Sequence, residues 1–276
     1  DSLPDLIRQL KAEHFDHIVD LHHNLRTFFI KTALRRPCST FKKLNREKFL
    51  LTAMKINRLP DVHIVDRYMQ AAAILGVKGD GQGLDYFLPE HLNAFPEAIP
   101  ATHRSGYVVY SIGGMHATKR MPNEKITALC RLLKHPVILL GGPEDEANGT
   151  QVAHHSGSHV WNACGKISLH ESAFVIKMAD LVISHDTGLM HIAAAFKKPL
   201  ISVWGNTVPA FGMYPYMPGM TDRFRIVEVN GLPCRPCSKI GYQKCPKKHF
   251  DCMNGIDIDM LAAEADQMIE RFKAAD

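Results

Sequence analysis

The stretch LVISHDTGLMHIAAAFKKPLISVWG, residues 181–205, decides the fold. LVISH (181–185) is a short apolar run, GLMHIAAAF reads as a helix, and PLISVWG (199–205) is a second apolar run. Two strands that are apolar throughout, joined by a helix, form a βαβ unit of a parallel sheet buried on both faces. The same alternation extends outward. Upstream lie strands at 107–112, 136–142 and 159–164, an amphipathic helix at 123–134, and a helix opened by a Ser168/Glu171 capping box. Downstream a strand is expected at 223–230 and a last helix from about Asp259 to Lys273. This half reads as a complete Rossmann-like domain, 98–276. Residues 1–97 differ. DHIVDLHHNLRT holds one strand and the start of a helix, 62–77 is mostly helix, and the basic stretch between them shows no convincing second strand. Gly79 to Leu84 and the run from Pro89 to Ser105 read as linker.

Open parallel sheets bind ligands beyond the carboxyl ends of their strands, where the first amides of the next helix favour anions. Three strand ends carry suitable residues. In SHDTGLMH, Gly188 allows close approach of a phosphate to the amides of Thr187, Gly188 and Leu189, with His191 in the first turn. Asp186 or Thr187 as a simple helix cap, and His191 as a satisfied core histidine, is the alternative reading. In SIGGMHATKRMP, Gly113 and Gly114 precede Lys119 and Arg120, two cations able to neutralise a diphosphate. In ILLGGPEDE, Glu144 and Asp145 stand where a carboxylate accepts ribose hydroxyls. Neither GxGxxG nor GxxxxGK[ST] is present, so dinucleotide dehydrogenases and P-loop NTPases have no direct support.

The 276 residues, 46% hydrophobic and 22% charged, suit one large soluble domain or two modest ones. No apolar run reaches the ~18 residues of a membrane-spanning helix. The net charge of +5 is uneven: residues 31–60 hold nine Lys/Arg against Glu47 alone, a local +8 that leaves −3 elsewhere. Such a patch attracts polyanions, and a solvated basic face is the alternative. Cys38, Cys130 and Cys164 are scattered, whereas Cys234, Cys237, Cys245 and Cys252 follow C-x2-C-x7-C-x6-C with His249 inside. That spacing is compatible with a structural zinc site, although the second pair is not CxxC, and a loop of free or locally paired cysteines remains open. An odd cysteine total points to a reducing compartment.

DTGLMHIAAA, TKRMP, LLGGPEDE, ISLHE and VWGNTVPA together resemble glycosyltransferase family 9, the ADP-heptose:lipopolysaccharide heptosyltransferases, and DLHHNLRT resembles a late segment of that family's N-terminal domain. Met121 departs from the usual Trp of K-R-W-P. The resemblance implies the GT-B fold, two Rossmann-like domains with parallel sheets across a cleft, the C-terminal one holding the nucleotide sugar. It implies that Lys119 pairs with donor phosphate or sugar, that Thr187 and Gly188 hold the diphosphate through their amides, and that Asp186 contacts the sugar. His191 would lie at the same point, Glu144 or Asp145 would hold the ribose, and Thr118 and Ile167 would line the nucleotide pocket. Lipopolysaccharide core is the implied acceptor, with Arg26, Arg35, Arg36, Lys42 and Lys43 on its side. No metal or cofactor is implied. The implied reaction is an inverting displacement whose base, an aspartate after the family's first strand, is expected upstream of residue 1, so that 1–97 reads as an incomplete acceptor-side domain. The expected location is the cytoplasm, with peripheral contact at the inner membrane.

Two other readings compete: a nucleotide-sugar epimerase, and a polyanion-binding regulatory protein using the basic stretch for nucleic acid. Against the latter, Phe28, Phe29, Phe41 and Phe49 stand at positions that suit buried helix faces rather than stacking platforms, so no nucleic-acid partner is expected.

Overall fold

The structure, a computed structural model, describes residues 2–273. The N-terminal part runs α1 (Leu3–Ala12), β1 (Ile18–Asp20), α2 (Leu25–Leu34), β2 (Cys38–Thr40), α3 (Asn45–Phe49) and α4 (Ile64–Ala72). Capping boxes start α1 at Ser2/Asp5 and α2 at Asn24/Thr27. β1 and β2 pair in parallel, Ile18 opposite Cys38 and Asp20 opposite Thr40. The basic stretch thus does contain a second strand; its three residues CST are too few and too polar for any periodic signal. The phenylalanines also differ from expectation. Phe41 is buried against Tyr68, but Phe28, Phe29 and Phe49 are each more than half exposed.

The larger part follows as β3 (Val108–Ser111), α5 (Asn123–Leu132), β4 (Val137–Leu140), α6 (Glu146–Ser156), β5 (Val160–Asn162), α7 (Leu169–Met178), β6 (Leu181–His185), α8 (Gly188–Ala195), β7 (Leu200–Trp204), β8 (Phe224–Glu228), α9 (Asp251–Asn254) and α10 (Ile258–Lys273). Six parallel strands lie in the order β5-β4-β3-β6-β7-β8. Strand side chains alternate between two buried layers, so both faces must be apolar. Val108, Tyr110, Val137 and Leu139 pack with Leu129 of α5 and Leu261 and Ile269 of α10. Val109, Ile138, Leu140 and Val182 pack with Val175 and Ile176 of α7 and Met190 and Ala193 of α8.

Two segments were not legible as built. The polar region before β5 is helix α6, whose sequence EANGTQVAHHS buries only Gly149, Val152 and Ser156. Gly149 is required there, because a Cβ would collide with the Asn162 side chain. The run 89–105, expected as linker, is packed: Ile99 is fully buried, and Phe95 meets the rings of Tyr107 and Phe174 edge-on. No helix of the described residues is long and apolar enough to cross a membrane.

The chain leaves β3 for β4 and β5 on one side, then returns to place β6 on the other side of β3. Loops following β3 and β6 therefore diverge, and the crevice between them is where such sheets bind ligands.

Candidate functional site

A cleft of about 1220 Å³ opens at that crevice. Its walls come from the ends of four strands: Gly113, Gly114, Lys119 and Arg120 after β3, Gly141 to Asp145 after β4, Gly165 and Ile167 after β5, and Asp186 to Leu189 after β6. Ile240, from the cysteine-rich segment, closes one side.

At β6 the strand ends on His185, which is fully buried and accepts the Met121 amide on Nε2 at 3.1 Å. Burial, aided by the Arg120 charge against the pull of the Gly113 and Ile112 backbone, drives its pKa down to about 4, so it is neutral. Its folded pKa lies below the ordinary 6.5, so its neutral form stabilises the fold fully above that pH, and the contribution is lost as pH falls toward 4. Denaturant titrations of His185→Gln and the parent at pH 7 and pH 4.5 should show the parent losing on the order of 2 kcal/mol more than the variant. Equal losses would mean that His185 does not carry the acid sensitivity.

Helix α8 then begins at Thr187, an extended N-cap whose side chain does not cap the helix. The first turn lines the cleft, and a Cβ at Gly188 would meet nothing within 4 Å. Beside them Lys119 Nζ sits 2.6 Å from Asp186 Oδ2, which also accepts the Thr207 hydroxyl at 2.9 Å. Arg120 donates to Asp145 Oδ1 at 3.0 Å, and the Gly142 amide donates to Asp145 Oδ2 at 3.1 Å. Both cations are thus parked on nearly buried carboxylates at the cleft wall. Glu144 is exposed on the same wall, with Asp145 folded inward.

These residues converge, but two of the sequence candidates stand apart. Thr118 is buried and does not line the cleft. Its hydroxyl donates to the Tyr242 carbonyl at 3.0 Å and accepts the Tyr242 amide at 2.8 Å, pinning the cysteine-rich segment. His191 lies behind the wall, where burial depresses its pKa, Asp186 raises it and Lys119 lowers it. Met121 fills the core rather than the cleft. Ile240 had no local signal, since its place depends on a partner more than a hundred residues away.

In the N-terminal part Asp20 ends β1, buried, 2.7 Å from Lys31 Nζ and accepting the His22 and His23 amides. Burial opposes ionisation, but Lys31, the His23 amide, Thr27 and the His22 amide outweigh it and hold the carboxyl well below the usual range. It is a poor proton acceptor. Arg35 and Arg36 border a groove between α1 and α2, while Arg26 and Lys42 are exposed. The cysteine-rich segment is held by Arg235, which donates to Glu228 and to the carbonyls of Gly205, Val229 and Thr207. All seven cysteines are free thiols, and burial pushes Cys252 up to about 12. Among the described residues no group of three or more His, Cys, Asp or Glu is arranged to hold a metal ion, so the zinc reading of the spacing finds no ligand set.

The model of glycosyltransferase family 9 (heptosyltransferase) matches residues 4–248. Lipooligosaccharide heptosyltransferase 2 of Haemophilus influenzae is 31% identical over 118 residues, 40% of this chain and 33% of that protein. Lipopolysaccharide heptosyltransferase 1 of Escherichia coli K12 is 29% identical over 214 residues, 72% of this chain and 64% of that protein. The chain thus spans about a third to two thirds of the length of these relatives. Among solved structures, E. coli ADP-heptose LPS heptosyltransferase II superposes with a TM-score of 0.67 at 15% identity, covering 99% of this chain and 82% of that one. A family 9 glycosyltransferase from Veillonella parvula gives 0.69 at 18% identity, covering 98% and 78%. These similarities show a shared fold, GT-B.

Proposed function

The chain belongs to glycosyltransferase family 9, the heptosyltransferases, and from that premise we propose that it moves a heptose from ADP-heptose to the inner core of lipopolysaccharide with inversion at the anomeric carbon. The observation that carries this reading is the pairing of an uncapped helix start at α8 with two cations, Lys119 and Arg120, each within reach of a cleft of nucleotide-sugar size. Amides and helix dipole supply about half a positive charge at Gly188. A diphosphate seated there draws Lys119 from Asp186, and the ammonium then follows the charge that grows on departing ADP. Asp186, released from Lys119, turns to hydroxyls of the sugar. Glu144 accepts from the ribose, because Asp145 is already committed to Arg120 and the Gly142 amide. In a GT-B enzyme the acceptor approaches from the N-terminal side. Its hydroxyl, deprotonated by a base, attacks the anomeric carbon as the phosphate oxygen leaves with the bonding pair.

The ribose assignment has its own test. Glu144→Ala should weaken ADP about tenfold, as expected for a hydrogen bond to a charged group, and should leave 2′,3′-dideoxy-ADP unaffected. Calorimetry showing an equal loss for both nucleotides would remove Glu144 from the ribose.

The function itself is tested by incubating the protein with ADP-heptose and heptose-free lipopolysaccharide core, and following the acceptor by mass spectrometry. One added heptose, absent when UDP-glucose replaces the donor, is expected. Transfer from UDP-glucose in preference to ADP-heptose would overturn the donor assignment.

A further inference from the structure

The turn after β7 is held far more firmly than an ordinary loop. Thr207 is almost fully buried there, and its hydroxyl donates to Asp186 Oδ2 at 2.9 Å, the carboxylate oxygen that also holds Lys119 Nζ at 2.6 Å. The Thr207 carbonyl in turn accepts from Arg235 Nη2 at 2.9 Å. The same guanidinium donates from Nε to the Gly205 carbonyl, from Nη1 to the Val229 carbonyl at 2.7 Å and from Nη2 to Glu228 at 2.8 Å. A guanidinium presents its donors in fixed directions, so these bonds set where the backbone of 205–207 lies and with it the aim of the Thr207 hydroxyl.

The turn that carries Lys119 is tied to the same frame. The Thr118 amide donates to the Tyr242 carbonyl at 3.1 Å, beside the two bonds of its hydroxyl, and the Thr118 carbonyl accepts the Asn206 amide at 3.4 Å. That approach needs glycine at position 205, where a Cβ would lie 2.7 Å from the Thr118 carbonyl oxygen. The Cys237 amide closes the frame on the Asn206 carbonyl at 3.1 Å. The cysteine-rich segment thus braces the turn that bears Lys119 and the turn whose threonine holds Asp186. Thr207, Arg235 and Tyr242 are not among the residues that line the cleft, so they act on a bound nucleotide only through Lys119 and Asp186.

We propose that Thr207 is a positioning residue of the donor site, keeping Asp186 in place when the diphosphate draws Lys119 away from it. The proposal rests on the donor reading above, in which a nucleoside diphosphate takes the Lys119 ammonium. In the free protein Asp186 Oδ2 has two donors; once Lys119 has moved, the Thr207 hydroxyl is the one that stays. Asp186 is nearly buried, so water replaces a lost donor poorly, and a stranded carboxylate would pull Lys119 back. The hydroxyl therefore lowers the cost of binding the donor, and by fixing Oδ2 it leaves Oδ1 for the sugar.

The test is a double-mutant cycle read by calorimetry with ADP. Thr207→Val, close to threonine in shape, should weaken ADP about tenfold, and Thr207→Ser, which keeps the hydroxyl, should restore most of the affinity. In Asp186→Ala there is no carboxylate to hold, so adding Thr207→Val should change ADP affinity by less than about twofold. A threonine that merely supports the turn would carry the tenfold loss into the double variant, and that result overturns the proposal. So does ADP binding indifferent to Thr207→Val, or a loss that Thr207→Ser shares in full; each of these leaves the donor site itself standing. Failure of the parent protein to bind ADP would instead overturn the donor reading, and the positioning role with it.

Discussion

Lys119→Ala should lose ADP affinity and stability together, and the two losses should separate on a second substitution. Lys119 and Asp186 are both mostly shielded from water, at 17% and 9% side-chain exposure, so their 2.6 Å contact is not a surface ion pair. Removing the ammonium leaves Asp186 with the Thr207 hydroxyl alone. Breaking such a pair from one side costs about 3 kcal/mol, discounted for the residual exposure of Lys119 to about 2. Loss of a charge-assisted contact to the diphosphate should weaken ADP by about 1.5 to 3 kcal/mol, or about 10- to 150-fold. Adding Asp186→Ala removes the stranded carboxylate, and should restore most of the stability and none of the affinity. Denaturant unfolding and calorimetry on the same three proteins read both quantities. ADP affinity unchanged in Lys119→Ala would remove this lysine from the donor site.

Two glycines that line the same cleft should respond differently. A Cβ on Gly113 would collide with the Asp145 Oδ2 atom, which is fixed by the Gly142 amide while Oδ1 holds Arg120. Gly113→Ala must therefore push the carboxylate aside, costing about 1 to 3 kcal/mol of stability and loosening Arg120 at the cleft wall. Gly188→Ala, with nothing within 4 Å of the new methyl, should fold as well as the parent and still weaken ADP, because the methyl occupies the space a phosphate needs. Thermal unfolding that ranks the two variants in the reverse order would mean that the wall is not built around Asp145.

The difference between the two glycines also marks the limit of what could be read from the chain. Strand ends and the βαβ rhythm are local, so β3, β4, β6, β7 and α8 were legible within a residue or two, and with them the candidates at 113–120, 144–145 and 186–188. Helix α6 was hidden because its buried face consists of Gly149, Val152 and Ser156, an apolar stripe too thin to register. β2 was hidden because three residues carry no period. Which of two adjacent acids faces the cleft depends on Arg120, twenty-five residues away, and so lay beyond any local pattern. Thr118 shows the converse. The family resemblance put it in the nucleotide pocket, yet hydrogen bonds with the Tyr242 backbone turn it away. Arg67, buried with its guanidinium on the Phe211 carbonyl, stands out only once the two parts of the chain are docked.

The central claim is that a nucleoside diphosphate sits between the turn after β3 and the first turn of α8. Hydrogen exchange read by mass spectrometry, with and without saturating ADP, addresses it directly, because amides that bind phosphate exchange more slowly. Protection is expected in peptides spanning 113–120 and 186–190, and should disappear in Lys119→Ala at the same nucleotide concentration. Binding of ADP with exchange unchanged in both segments, or with protection confined to residues 2–105, would contradict the account.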